Sequence, residues 1–303
     1  MAVNVSAEKK AVALGSFDGL HKGHKEVLTC ALSLKERGFV PLALLFTSHP
    51  LLTLTGSAPD SILQEDIRQQ MLENMGFEVR YISFEEINNM SPREFFENIL
   101  INKLNAGAVC CGNNYRFGKN GSGTAKDIEK LCSEYKIDSR ICPDVTCGGE
   151  LISSTRIRNA LKEGNIPLAN QMLGYEFRYK AEAVHGYERG HLIGYPTINQ
   201  YFDTGFIIPK NGVYASVTII EGKEYPSVTN IGLRPSFEDE DIKSETNISG
   251  FSGDLYGQFI EVRLLEYLRG EAKFDGFEAL GRQIRSDSQK ATEIFRQRGK
   301  ANV

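Results

Sequence analysis

His21 and His24 close the run Gly15-Ser16-Phe17-Asp18-Gly19-Leu20-His21-Lys22-Gly23-His24. Imidazole nitrogens can donate hydrogen bonds to phosphate oxygens, and glycines at 15, 19 and 23 let the backbone come close to an anion. The apolar run Ala11–Phe17 before the turn predicts a buried strand. Val27, Ala31 and Leu34 after it predict a helix that stops at Gly38. A strand–turn–helix aims N–H groups and the positive end of a helix dipole at a phosphate. The segment is neither a GxxxxGK[ST] loop nor a GxGxxG turn. Gly15, Phe17, Asp18 and Gly23 are therefore read as phosphate contacts, with His21 and His24 as side-chain donors beside them. Taken alone, an HxxH pair is more often an ordinary turn with two surface histidines.

Three further segments have residue types suited to the same chemistry. Ile152-Ser153-Ser154-Thr155-Arg156-Ile157-Arg158 puts hydroxyls at a helix start and arginines in its first turns, so Ser154, Thr155 and Arg158 can hold phosphate oxygens. A capped surface helix would look the same. His49 lies just beyond Val40–Phe46, a second buried strand, and Asn113-Asn114 just beyond Ala108–Cys111, another. Loops at the carboxyl ends of parallel strands line the ligand crevice in such sheets.

The second half has its own cluster. Gly186, Gly190 and Gly194 lie in a short segment that ends in Pro196-Thr197-Ile198-Asn199, and Thr197 and Asn199 offer oxygens to a hard cation such as Mg2+. A plain hairpin loop explains that spacing equally well. Glu245 follows the acidic run Glu238–Asp241; without further context it is a solvated carboxylate in a loop that runs into a strand.

The elements that must position these residues fall into two textures. Up to about Tyr175, short apolar runs alternate with helical periodicity, which predicts an α/β domain with a parallel sheet. Within it Ser91-Pro92-Arg93-Glu94 has the form of a capping box. A helical face of Phe95, Ile99 and Leu104 follows, and a second helix is expected over Thr124–Lys136. Beyond Tyr175, Phe177–His185, Gly212–Ile220 and Tyr256–Leu265 read as strands of an antiparallel sheet or small barrel. Phe277, Leu280, Ile284, Ala291 and Phe295 predict a closing amphipathic helix. The expected division is residues 1–175 and 176–303.

Composition bounds the class of partner. The 303 residues carry a net charge of −4 and 41% hydrophobic content, ordinary for two globular domains and without a general pull toward nucleic acid or anionic membrane. No apolar run is long enough to span a membrane, and the chain is read as cytoplasmic. The six cysteines form no CxxC pair, so they are read as buried apolar residues rather than zinc ligands or disulfides.

In order along the chain, the GxFDGxHxGH-like run, the Phe46-Thr47-Ser48-His49-Pro50 segment, the Gly112–Gly118 segment and the Ser153-Ser154-Thr155 segment resemble the FAD synthetase module of the bacterial bifunctional riboflavin kinase/FMN adenylyltransferase family. Gly186–Asn199, Asn230-Ile231-Gly232-Leu233-Arg234-Pro235 and Glu245-Thr246 are similar to that family's flavokinase blocks. The resemblance covers nearly the whole chain. It implies a Rossmann-like nucleotidylyltransferase domain, then a flavokinase-type antiparallel β-barrel with a C-terminal helix. It implies riboflavin, FMN, FAD and ATP as small-molecule partners and Mg2+ as cofactor; net charge and the lack of a long apolar run argue against a nucleic-acid or membrane partner, and a homo-oligomer is compatible with the chain. It assigns His21 and His24 to catalysis, stabilising charge on the α-phosphate, Thr197 and Asn199 to the metal, Glu245 to general-base catalysis, and His49, Asn114 and Arg285 to flavin binding. Departures from the family pattern are Ser48 in place of proline, the non-acidic Asn113-Asn114 pair, and Asn247 in place of histidine. A single-activity relative, with its other half a flavin-binding platform, and a non-catalytic flavin or nucleotide sensor are the rival readings.

Overall fold

The structure is a computed structural model and describes residues 8–185, 197–233, 242–272 and 274–298. The chain divides into two compact units, Met1–Asp60 with Glu65–Ser154, and Ser61–Gln64 with Thr155–Val303.

The first unit is built on a parallel sheet of β1 (Lys10–Leu14), β2 (Val40–Phe46), β3 (Glu78–Ile82), β4 (Ala106–Gly112) and β5 (Asp138–Cys142), in the order β3-β2-β1-β4-β5. The central strands are near-continuous apolar runs because helices cover both faces of such a sheet. Val12, Leu14, Leu42, Leu44, Val109 and Cys111 all join one core cluster. Helix α1 (Lys22–Ser33) follows β1 and buries Val27, Leu28 and Ala31; Gly38, at φ 83°, stops the short 3-10 turn after it. The expected α/β architecture, Rossmann-like in strand order, is present. Its switch point lies between β1 and β4, where chain connections run off in opposite directions and leave a crevice at the carboxyl ends.

Two details differ from the sequence expectation. The first strand ends at Leu14 rather than Phe17, because Phe17, Gly19 and Leu20 all take positive φ and the backbone turns sharply. The capping box at Ser91 and Glu94 is present, but from Phe95 to Lys103 the helix is a π-helix rather than an α-helix. Phe95, Phe96, Ile99 and Leu100 are its buried residues.

The second unit is a six-stranded antiparallel sheet of β6 (Arg178–Glu182), β7 (Thr197–Tyr201), β8 (Gly212–Ile220), β9 (Lys223–Leu233), β10 (Ile242–Ile248) and β11 (Phe259–Arg269). The order is β6-β11-β8-β9-β10-β7. Val184, just past β6, exchanges both backbone hydrogen bonds with Asn199 of β7, at 2.8 and 3.2 Å, which brings the sheet close to a closed barrel. Closure removes sheet edges that would otherwise invite association. The alternation along β8 is used in an unexpected sense. Ser216 and Thr218 are fully buried with Ser227, Thr229 and Thr246, and their hydroxyls pair at 2.7–2.9 Å. Ala215 and Val217 instead pack with Leu265 and Ala291. The long helix that carries Ala291, Phe277–Arg298, thus covers the outside of the barrel, as its apolar periodicity predicts. Near its end Arg298 bonds Glu176 and Glu224, and midway buried Asp287 accepts from Arg269 Nε and Nη2 at 3.0 and 2.9 Å.

Candidate active sites

Helix α1 starts at the carboxyl end of β1, on the crevice side. His21 is its N-cap: Nδ1 accepts the His24 backbone N–H at 3.2 Å, which puts the ring proton on Nε2 as a donor. Spacing by three residues at a helix start brings the imidazoles face to face, with ring centroids 3.7 Å apart and planes inclined by 14°. Phe17 meets His24 edge-on at 5.4 Å. Two glycines permit this stack: a Cβ on Gly15 would stand 3.2 Å from the Phe17 ring, and one on Gly23 would stand 3.2 Å from His21 Cε1. Phe17 and Leu20, at φ 51° and 39°, hold strain of order 1–3 kcal/mol each. Strain of that kind persists where packing over-determines it, and both side chains are fully buried.

Both histidines are neutral near pH 7. Burial lowers the His21 pKa to about 4, and burial with the nearby His21 and Arg68 lowers that of His24 well below the ordinary value. A buried neutral histidine binds protons less readily in the folded chain than in the unfolded one. Stability is therefore fullest above about pH 6.5 and lost as pH falls toward 4, by up to roughly 3 kcal/mol for His21. Urea unfolding should show this loss in the wild-type chain and less of it in His21→Gln; equal pH dependence in both would contradict it.

Arg68 is a residue that sequence reasoning missed. It lies on the helix Glu65–Asn74, close enough for its charge to act on His24, and its Nε is buried without a hydrogen-bond partner. No motif surrounds it, and only the fold puts its cation beside the histidines. Ser154, at the start of the helix Ser154–Glu163, donates its hydroxyl to the Asp18 carbonyl at 3.1 Å. The structure thereby ties that helix start to the glycine-rich turn. Thr155 and Arg158 follow on the same helix and belong to the second unit. His49 caps the short helix Pro50–Thr55, with Nδ1 accepting from Leu51 N at 3.1 Å. Asn114 is exposed in the turn after β4, and its Oδ1 lies 3.3 Å from where a Gly112 Cβ would be. His49 and Asn114 thus sit after β2 and β4, in loops at the crevice end of the sheet. All six cysteines are free thiols, and burial pushes Cys110, Cys111 and Cys132 up to about 12, as befits inert core residues.

The second cluster is on the barrel. Thr197 and Asn199 are not in a loop but on β7, where antiparallel register sets Asn199 directly opposite Glu245 of β10, and Thr197 opposite Asn247. The period of two puts these four side chains on one face. Glu245 likewise lies within a strand. Asn199 is buried, its Oδ1 accepting from Lys243 Nζ at 2.6 Å, and the same ammonium is 3.0 Å from Glu245 Oε1. Lys243 was not singled out in the sequence, although a position two before Glu245 on a strand must share its face. The arrangement fits a divalent cation: a buried amide oxygen and a carboxylate already converge on one positive charge. Beside them Tyr256 stacks on His185 at 3.5 Å and reaches the Thr197 carbonyl at 3.4 Å. Gly186, Gly190 and Gly194 lie outside the described residues. Arg285 is exposed on the terminal helix, whereas Arg269 is the arginine held by that helix's buried carboxylate.

Two family models match in succession along the chain. The FAD synthetase family model matches residues 3–156 and the riboflavin kinase model residues 173–295. The chain is 33% identical to the bifunctional riboflavin kinase/FMN adenylyltransferase of Bacillus subtilis over 95% of its own length and 93% of that protein's. It is 32% identical to the Escherichia coli K12 protein of the same name, over 94% and 92%. A solved structure from Streptococcus pneumoniae, described as a macrolide-efflux protein, superposes with a TM-score of 0.87 at 30% identity over 95% of each chain. Among the described residues here, no helix is long and apolar enough to cross a membrane. Two enzymatic modules in fixed order, matched along almost the full length of named relatives, place this chain in the bifunctional riboflavin kinase/FMN adenylyltransferase family.

Proposed function

We propose that the chain makes flavin nucleotides in two ATP-dependent steps, with residues 176–303 phosphorylating riboflavin to FMN and residues 1–175 transferring AMP from ATP to FMN. The pairing of a stacked histidine couple with a separate Asn199–Glu245 face carries this reading. In the first step Glu245 accepts the proton of the ribityl 5′-hydroxyl as that oxygen bonds the γ-phosphorus and ADP leaves. Thr197 and Asn199 hold Mg2+, which when bound neutralises phosphate charge. The glycines at 186, 190 and 194 let the backbone close on the ATP phosphates.

In the second step an FMN phosphate oxygen bonds the α-phosphorus, and the bond to the β-phosphate bridging oxygen breaks. His21 and His24 donate to the oxygens on which charge grows, and Gly15, Phe17, Asp18 and Gly23 frame the phosphates. Ser154, Thr155 and Arg158 take the outgoing pyrophosphate. Arg68 adds the positive charge that the neutral histidines lack. His49 and Asn114 are assigned to the flavin of this step, and Arg285, on the terminal helix, to the flavin of the first; exposed Leu51, Leu52 and Leu54 beside His49 suit an apolar ring. Product analysis tests the whole: the purified protein given riboflavin, ATP and Mg2+ yields FMN and then FAD. Failure to convert riboflavin, or to convert supplied FMN, would overturn it.

A further inference from the structure

Lys243 lies on the barrel face with Asn199 and Glu245, and the two-step reading leaves it unused. Its side chain is only 8% exposed, and burying an ammonium is costly unless its charge is matched. The match comes from Asn199 Oδ1 at 2.6 Å and Glu245 Oε1 at 3.0 Å. A neutral amide is a poor sole partner for a buried cation, so the carboxylate supplies most of the compensation. The amide oxygen is the kind of atom that a hard metal ion takes, and two cations on one oxygen repel each other.

We propose that Lys243 is a resident counter-cation that holds the Asn199 and Glu245 oxygens until a metal-bound nucleotide displaces it from Asn199. The inference rests on the reading of Asn199 as a metal ligand. A bare divalent ion must take Asn199 Oδ1 from the ammonium and brings no anionic oxygen to replace that bond. A metal that arrives on ATP brings phosphate oxygens, and the three N–H donors of the freed ammonium can bond to them while it stays near Glu245. Lys243 thereby ties metal entry to nucleotide entry, and it disfavours an idle metal on the empty enzyme.

The test is direct binding of Mn2+ to nucleotide-free protein, read as free ion by electron paramagnetic resonance. Lys243→Met and Lys243→Gln should each tighten Mn2+ binding by about tenfold or more, whereas Lys243→Arg, which keeps the charge, should not. Adding ATP should shrink the difference between wild type and the neutral variants. Unchanged or weaker Mn2+ binding in both neutral variants would overturn the proposal, and so would equal tightening by Lys243→Arg. Asn199→Ala in the Lys243→Met background separates the two layers. Should it abolish the gain, Asn199 is a ligand and the proposal stands. Should the gain survive, the metal lies elsewhere and both readings fall. Should Asn199→Ala alone weaken Mn2+ binding while neutral variants at 243 match wild type, only the role of Lys243 is lost.

Discussion

Glu245→Gln will lower FMN formation from riboflavin by about 10²- to 10⁴-fold, the range expected when a positioned general base is removed. It will leave FAD formation from supplied FMN unchanged. Glutamine keeps the volume and an oxygen that can still accept from Lys243, but it removes the charge that compensates the buried ammonium, so thermal melting must accompany the kinetics. The loss should appear in kcat, with little change in the riboflavin KM, because proton acceptance matters only as the hydroxyl attacks. Initial rates of riboflavin phosphorylation resolved by chromatography check this. A rate within a few-fold of wild type would remove Glu245 from the chemistry.

His24→Ala gives the opposite pattern. Removing a preorganised donor to a charge-developing oxygen costs about 10²- to 10³-fold in kcat, so FAD should nearly vanish while FMN accumulates from riboflavin. The substitution also deletes the ring stacked on His21 and edged by Phe17, so thermal melting must accompany the kinetics. A folded variant that still makes FAD at the wild-type rate would contradict the assignment of the histidine pair. Equal loss of both activities would contradict two separate sites.

The sequence made much of this legible for identifiable reasons. The β1–turn–α1 unit could be read because apolar runs, three glycines and a helical repeat each pointed the same way. Its boundary was misplaced because Phe17, apolar enough to extend a strand, is instead bent to φ 51° by packing on Gly15 and His24. Strain of this kind has no local sequence signature. On the barrel, period-two alternation along Gly212–Ile220 identified a strand. Alternation alone cannot say that Ser216 and Thr218 point inward while Ala215 and Val217 face the closing helix. Thr197 and Asn199 looked like loop residues because glycines and a proline precede them, and their pairing with β10 is a long-range contact. Arg68 and Lys243 were illegible for a related reason: isolated cations outside any motif acquire meaning only when the fold brings them against His24 or Asn199.

The central claim is that one chain performs both transfers at two sites, and labelled ATP tests it most directly. Purified protein is incubated with riboflavin, Mg2+ and ATP carrying phosphorus label at either the γ or the α position, and flavin products are separated. The account predicts γ-label in FMN and in FAD, and α-label in FAD alone. Label from neither position in any flavin, or α-label in FMN, would contradict it.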